Sequence, residues 1–312
     1  MPGPTRRRRL LFIHAHPDDE TLTTGLTMAH YRAAGHDVHV LTCTLGEEGE
    51  VIPTELRHLA ADRDGTLAPT RREELRRAME ALDVSHAVLG EDPDRGVLSR
   101  YRDSGMAGTP GAAHPDAFVG ADLEEAAGLV ADHLRRLRPD VVVTYDEHGG
   151  YGHPDHIQTH RVTMAALRSL ADEAPTAYGV LTPQSWACED RDWLAAHVDA
   201  HIAPPLAVLT TEAPFSPSVV EDAVVTHAVE NPGQVGRQAA ALACHVTQVR
   251  VFDGYYALSN HLAARLSGRE GFAVLDPATG RPCPAADLVA GASLAGATPA
   301  RHTGLLPDEA GA

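Results

Sequence analysis

The chain contains no lysine: all 26 basic residues among its 312 are arginines. That absence excludes chemistry that needs an ε-amine, such as a Schiff base or a Walker-type phosphate loop. Aromatic residues are scarce, at 4%. The four cysteines, Cys43, Cys188, Cys244 and Cys283, form no Cys-x-x-Cys pair. Such spacing offers no disulfide framework and no thiolate zinc site, and it fits a reducing, cytoplasmic compartment. Long hydrophobic runs are also missing. The arginines at 6–9 lead only into Leu10-Leu11-Phe12-Ile13, too short for a signal peptide or a membrane span. Acidic residues outnumber basic ones by 43 to 26, a formal net charge of −17. Like charge repels, so neither nucleic acid nor an anionic membrane is an expected partner.

What is present is an alternation of strand and helix signals. The apolar run 10–13 has the pattern of a strand buried on both faces. A helix is expected over 20–34, ending at Gly35, then a strand over 38–44 and a polar loop, "LGEEGEV". The spacing predicts a helix over 70–82, with Thr70 and Glu73 as a capping box, and a strand over 86–89. After a Gly- and Pro-rich loop at 91–118 come a helix over 122–137 and the β-branched strand 141–145. This order predicts an α/β fold: a Rossmann-like, doubly wound, mostly parallel sheet. Residues 8–172 are expected to form the catalytic core. Residues 173–290 read as a less regular part of the same domain, closing over the site, with a helix near 234–245 and a strand over 250–256. The Ala-, Gly- and Pro-rich residues 291–312 read as a disordered tail. No internal repeat is visible, and the pattern sets no oligomeric state.

Ligands of open parallel sheets bind beyond the carboxyl ends of the strands. Two polar clusters fall there: "HAHPDDE" (14–20) after the first strand and "YDEHGGYGHPDH" (145–156) after the fourth. Each holds a His-Pro-Asp, in which proline forces a turn and can open a helix. A hydrolytic zinc site needs three N/O ligands and one open position. His16 and Asp19 can supply two ligands, and either His153 or His156 a third. The metal is one zinc per chain, with Fe(II) also compatible with two histidines and an aspartate. His30, His36, His39, His58, His86 and His133 are scattered and read as structural, and the Glu-rich loop at 46–51 as a polar rim.

The stretches "HAHPDDETLTTG", "LTCTLGEEGEVI", "RDSGMAGT" and "VVVTYDEHGGYGHPDH" resemble the PIG-L/LmbE-like zinc deacetylases, over about residues 8–170 and again near "ACHVTQVRVFDGYYALSN". The resemblance implies that His16, Asp19 and His156 hold zinc. It makes Asp18 the general base, fitting the rule that adjacent residues rarely aim at one ion. His153 would polarise the carbonyl or hold the oxyanion as a cation, with Asp155 orienting it and keeping it charged. Tyr151 would lie near the tetrahedral intermediate. Arg71 and Asp103 would bind sugar or inositol hydroxyls, and Met106 would line the pocket. Glu20 would open the first helix and support the site, and His14 has the least defined part. The GEEGE and RDSGMAGT stretches narrow the resemblance to members that deacetylate GlcNAc-inositol, a small-molecule substrate, in mycothiol biosynthesis. The proton for the leaving amine would come from Asp18 or His153. "TLTTG" stands where relatives that cleave mycothiol S-conjugates carry a lysine, which weighs against that activity. Deacetylation of another N-acetylglucosaminyl compound is the near alternative, and a non-catalytic metal- or carbohydrate-binding protein the distant one.

Overall fold

Along β1 (Arg9–His14), Leu10 and Phe12 enter one hydrophobic cluster, and Leu11 and Ile13 enter another. A strand apolar on both faces must lie inside a covered sheet. β1 does so, between β2 (Asp37–Thr42) and β4 (Val141–Thr144), with Leu10 paired to Val38 and Val141. The computed structural model describes residues 7–283 and 302–306. Its main sheet also contains β3 (Ser85–Val88), β5 (Thr176–Val180), β6 (His227–Glu230), β7 (Arg269–Val274) and β8 (His302–Thr303). Eight strands run in the order β8-β6-β7-β5-β4-β1-β2-β3. β3, β2, β1, β4 and β5 are parallel, whereas β7 runs antiparallel to both β5 and β6.

Helices α1 (Asp19–Ala33) and α2 (Leu67–Leu82) pack Met28, Tyr31, Leu75 and Met79 into the cluster of Leu10 and Phe12. On the opposite face, α3 (Leu123–Leu137) and α4 (Pro154–Leu170) set Val130, Leu134, Val162 and Leu167 against Leu11, Ile13 and Val142. Asp122 caps α3 by accepting the Glu125 N–H, and acidic and basic residues at its two ends suit the helix dipole. Two later helices, α5 (Gln184–His197) and α6 (Val235–Leu242), complete the set that matters here, and α6 packs beside α1 and α2.

Three expectations need correction. α2 begins at Leu67, so Thr70 lies inside it and forms no capping box; buried Leu67 draws the start earlier. The strand expected over 250–256 is a hairpin of Arg250–Val251 and Tyr255–Ala257, turning at Gly254, where φ is +79°. Part of the expected tail is ordered structure. β8 pairs with β6, Leu305 and Leu306 are buried, and the Leu305 N–H donates to the Tyr31 hydroxyl. Within an Ala-, Gly- and Pro-rich composition, the adjacent Leu305 and Leu306 bury enough apolar surface against Tyr178, Val229 and Phe272 to hold this segment on the sheet. The rest of 291–312 lies outside the described residues. Among those described, no helix is long and apolar enough to cross a membrane.

Candidate active site

From β1 the chain passes to α1 on one face of the sheet, and from β4 to α4 on the other. The gap between these neighbouring strands is a topological switch point, where doubly wound sheets bind ligands. Both polar clusters open into it. His16 Nδ1 lies 3.1 Å from Asp19 Oδ2, His156 Nε2 lies 3.2 Å from the same oxygen, and the two nitrogens are 3.3 Å apart. Ligands at zinc–nitrogen distances of 2.0–2.1 Å in a tetrahedron stand about 3.3 Å from one another, so the triangle fits such an ion. His153 can also bring a ring nitrogen within 4.8 Å of those of His16 and His156. Asp19 Oδ2 lies within 3.2 Å of both histidine nitrogens.

Supporting groups lie outside the triangle. His16 Nε2 lies 3.3 Å from Asp103 Oδ1 and 3.4 Å from Asp155 Oδ2, and His156 Nδ1 lies 3.2 Å from the Gly149 carbonyl. An acceptor on one ring nitrogen leaves the other bare, as a metal ligand must be. The ring of Tyr145 stacks on His156 at 4.3 Å, and its hydroxyl accepts the Ala15 N–H. Tyr145 was not singled out in the sequence; an aromatic at a strand's carboxyl end is its only local signal.

The consecutive aspartates are held differently. Burial pushes Asp18 up to about 6, although the Arg71 guanidinium 3.1 Å away opposes the shift. Burial would raise Asp19 too, but the charges of and hydrogen bonds from His156 and His16 hold it well below its ordinary value. Asp18 sits at φ +123°, ψ −35°, a conformation that costs an L-residue on the order of 1–3 kcal/mol.

His153 caps α4, its Nδ1 accepting the Asp155 N–H at 3.1 Å. This differs from the expected arrangement, in which the Asp155 carboxylate kept His153 charged. That carboxylate instead accepts the Ser104 N–H at 2.8 Å and turns to His16. With Nδ1 an acceptor, His153 is neutral and presents Nε2–H; burial and the neighbouring His16 and His156 push it down to about 3. Tyr151 is 56% exposed and sets its ring edge-on to His156 at 5.1 Å. Arg71 is only 3% exposed, and its guanidinium bonds the carbonyls of Gly46 and Pro17. Asp103 is also buried, accepting from the main-chain amides of Glu48 and Gly105. Its own N–H donates to Glu47, which ties the Glu-rich loop to the RDSGM stretch as a polar rim. Met106, at 49% exposed, lies on the open side of that stretch.

His14 is buried beneath the site, against Thr24 and edge-on to Tyr145, and burial pushes it down to about 4. Glu20 faces His245, which lies in the ACHVTQVR stretch. The segments after β5 reach the site at 245–248, where the Ile52 N–H donates to the Thr247 carbonyl, and at Ser218, which donates to the Gly150 carbonyl.

Two histidines and an aspartate converging at the switch point of a doubly wound sheet form the layout of a metal-dependent hydrolase. The chain belongs to the PIG-L family: that family's profile, described as GlcNAc-PI de-N-acetylase, matches residues 11–167. Over 278 residues it is 46% identical to the 1D-myo-inositol 2-acetamido-2-deoxy-alpha-D-glucopyranoside deacetylase of Geodermatophilus obscurus, spanning 85% of this chain and 91% of that one. Identity to the protein of the same name from Thermobifida fusca is 44% over 276 residues, spanning 86% and 93%. Among solved structures, N,N'-diacetylchitobiose deacetylase from Pyrococcus horikoshii shares the fold, with TM-score 0.50, 16% identity and coverage of 91% and 90%.

Proposed function

We propose that this chain hydrolyses the N-acetyl group of GlcNAc-inositol to give acetate and glucosaminyl-inositol, the deacetylation step of mycothiol biosynthesis. The observation that carries the hydrolytic reading is the His16, Asp19 and His156 triangle with Asp18 beside it. The relatives' shared name, at 44–46% identity across nearly their whole length, supports the substrate. His16, Asp19 and His156 would hold the zinc, which when bound would supply Lewis acidity toward the acetamide carbonyl and would lower the pKa of the attacking water.

The remaining steps belong to side chains. Asp18 takes a proton from the water as its oxygen attacks the carbonyl carbon. His153 donates Nε2–H to the developing oxyanion as a neutral imidazole, and the exposed Tyr151 hydroxyl approaches it from the solvent side. Asp18 then returns its proton to the nitrogen as the C–N bond breaks, leaving a free amine and acetate. Asp103 and Asp155 keep His16 in the ligating tautomer. Arg71 holds Asp18 from the protein side, and Met106 borders the sugar. Cys43, Cys188 and Cys244 carry free thiols, which supports a reducing, cytoplasmic setting.

The test is acetate release from GlcNAc-inositol beside cleavage of a mycothiol S-conjugate, with chelator and after zinc is restored. Zinc-dependent acetate release in excess of conjugate cleavage supports the proposal. The reverse preference, or turnover indifferent to the chelator, overturns it.

A further inference from the structure

Asp18 combines an unfavourable backbone conformation with a side chain that must be aimed at the reaction, so something has to hold it. The Pro17–Asp18 peptide is gripped at both polar ends. Its carbonyl oxygen accepts from Arg71, and its N–H donates to Glu20 Oε2 at 3.0 Å. A peptide fixed on both sides cannot rotate to relieve the strain at φ +123°. Glu20 is fixed in turn: Oε1 accepts the Thr21 hydroxyl at 2.6 Å and faces His245 Nε2 at 3.2 Å. Both Glu20 and His245 are fully buried.

His245 is not needed to anchor its own segment. The Thr247 N–H and hydroxyl bond the Glu74 carboxylate on α2 at 2.8 and 2.7 Å, and the Thr247 carbonyl accepts from Ile52. Among the described residues, His245 Nδ1 has no hydrogen-bond partner. The ring's hydrogen bonding is therefore directed at Glu20. A buried acid and base that served packing alone could be replaced by apolar residues at no loss.

We propose that Glu20 and His245 are a positioning pair for Asp18: His245 fixes the Glu20 carboxylate, and Glu20 locks the Pro17–Asp18 peptide so that the Asp18 carboxylate faces the attacking water. This rests on reading Asp18 as the general base. Neither residue touches substrate, and both act through Asp18.

The test compares Glu20→Ala, Glu20→Gln, His245→Ala, Asp18→Asn and the double variant Asp18→Asn/Glu20→Ala. Zinc-loaded enzymes are assayed for kcat and KM on GlcNAc-inositol, for zinc per chain and for thermal midpoint. Misplacing the base should lower kcat of Glu20→Ala about 100-fold, with KM and zinc content unchanged. His245→Ala should fall about tenfold, and Glu20→Gln, whose amide oxygen still accepts the Asp18 N–H, should stay within about fivefold. Because the pair acts through Asp18, the double variant should be no slower than Asp18→Asn.

Losses that multiply, or that fall on KM or zinc content, overturn the proposal. So does a Glu20→Gln enzyme as impaired as Glu20→Ala. If Glu20→Ala does not fold, His245→Ala decides in its place: an unchanged kcat overturns the proposal, and a loss absent from the Asp18→Asn background supports it. An Asp18→Asn enzyme with full turnover removes the general-base reading itself. If instead Asp18→Asn is inactive while Glu20→Ala keeps its kcat, only the positioning pair is removed.

Discussion

His16 Nδ1 and His156 Nε2 stand 3.3 Å apart although 140 residues separate them. Parallel pairing of β1 with β4 produces that contact, since it brings the two His-Pro-Asp turns to one crevice. The proposed function separates this site into ligands and base. His156→Ala should lose the metal, because two donors remain on one turn. Asp18→Asn should keep about one zinc per chain and lose about 100-fold or more in kcat, the usual scale for a positioned proton acceptor. Metal analysis of each purified variant beside its acetate-release rate checks this. Zinc lost from Asp18→Asn, with turnover surviving in His156→Ala, would reverse the assignment.

Asp103 supports His16 from outside the triangle, 3.3 Å from Nε2. Asp103→Asn keeps the shape but loses the charge that favours the ligating tautomer. Zinc affinity should fall about 10- to 100-fold, as is usual for such supporting carboxylates. Competition with a zinc-binding dye reads the effect directly. A variant with unchanged zinc affinity but a raised KM would make Asp103 a sugar contact instead.

Much of this was legible locally. Strand β1 declares itself by four apolar residues, the switch point by the order of strands and helices, and the polar cluster at that point by two His-Pro-Asp turns. What failed to show was set by distant or main-chain partners. His245 meets Glu20 across 225 residues, and the Tyr145 hydroxyl meets the Ala15 amide across 130. The tautomer of His153 depends on a backbone N–H, which no side-chain pattern encodes. The β6 to β8 half of the sheet was obscure because its strands, HAVE, REGFAV and HT, lack the unbroken apolar runs that mark β1 and β4.

The sheet edge formed by β8 makes a separate prediction about stability. Leu305 is buried, its N–H donates to the Tyr31 hydroxyl, and its carbonyl accepts from the Tyr178 hydroxyl. Leu305→Ala keeps both main-chain bonds and empties apolar volume, so the expected cost is about 2–5 kcal/mol. Urea unfolding should show a lowered midpoint with an unchanged slope. A midpoint that did not move would mean that 302–306 contributes nothing to the fold.

The same edge should be sensitive to acid. His227 on β6 pairs with His302 on β8, their ring centroids 5.0 Å apart, and it packs edge-on against Tyr178. Burial, then the charge of His302, pushes His227 down from 6.5 to about 4. The folded chain therefore binds fewer protons than the unfolded chain between these values. The contribution of His227 to stability is fully present above pH 6.5 and is lost as pH falls toward 4. Because the side chain is only partly buried, solvent reduces the effect to about 1 kcal/mol. Urea midpoints at pH 7, 6 and 5 should drop more steeply for the natural chain than for His227→Gln, which cannot take up the proton. Parallel slopes for the two proteins would show that His227 does not titrate against the fold.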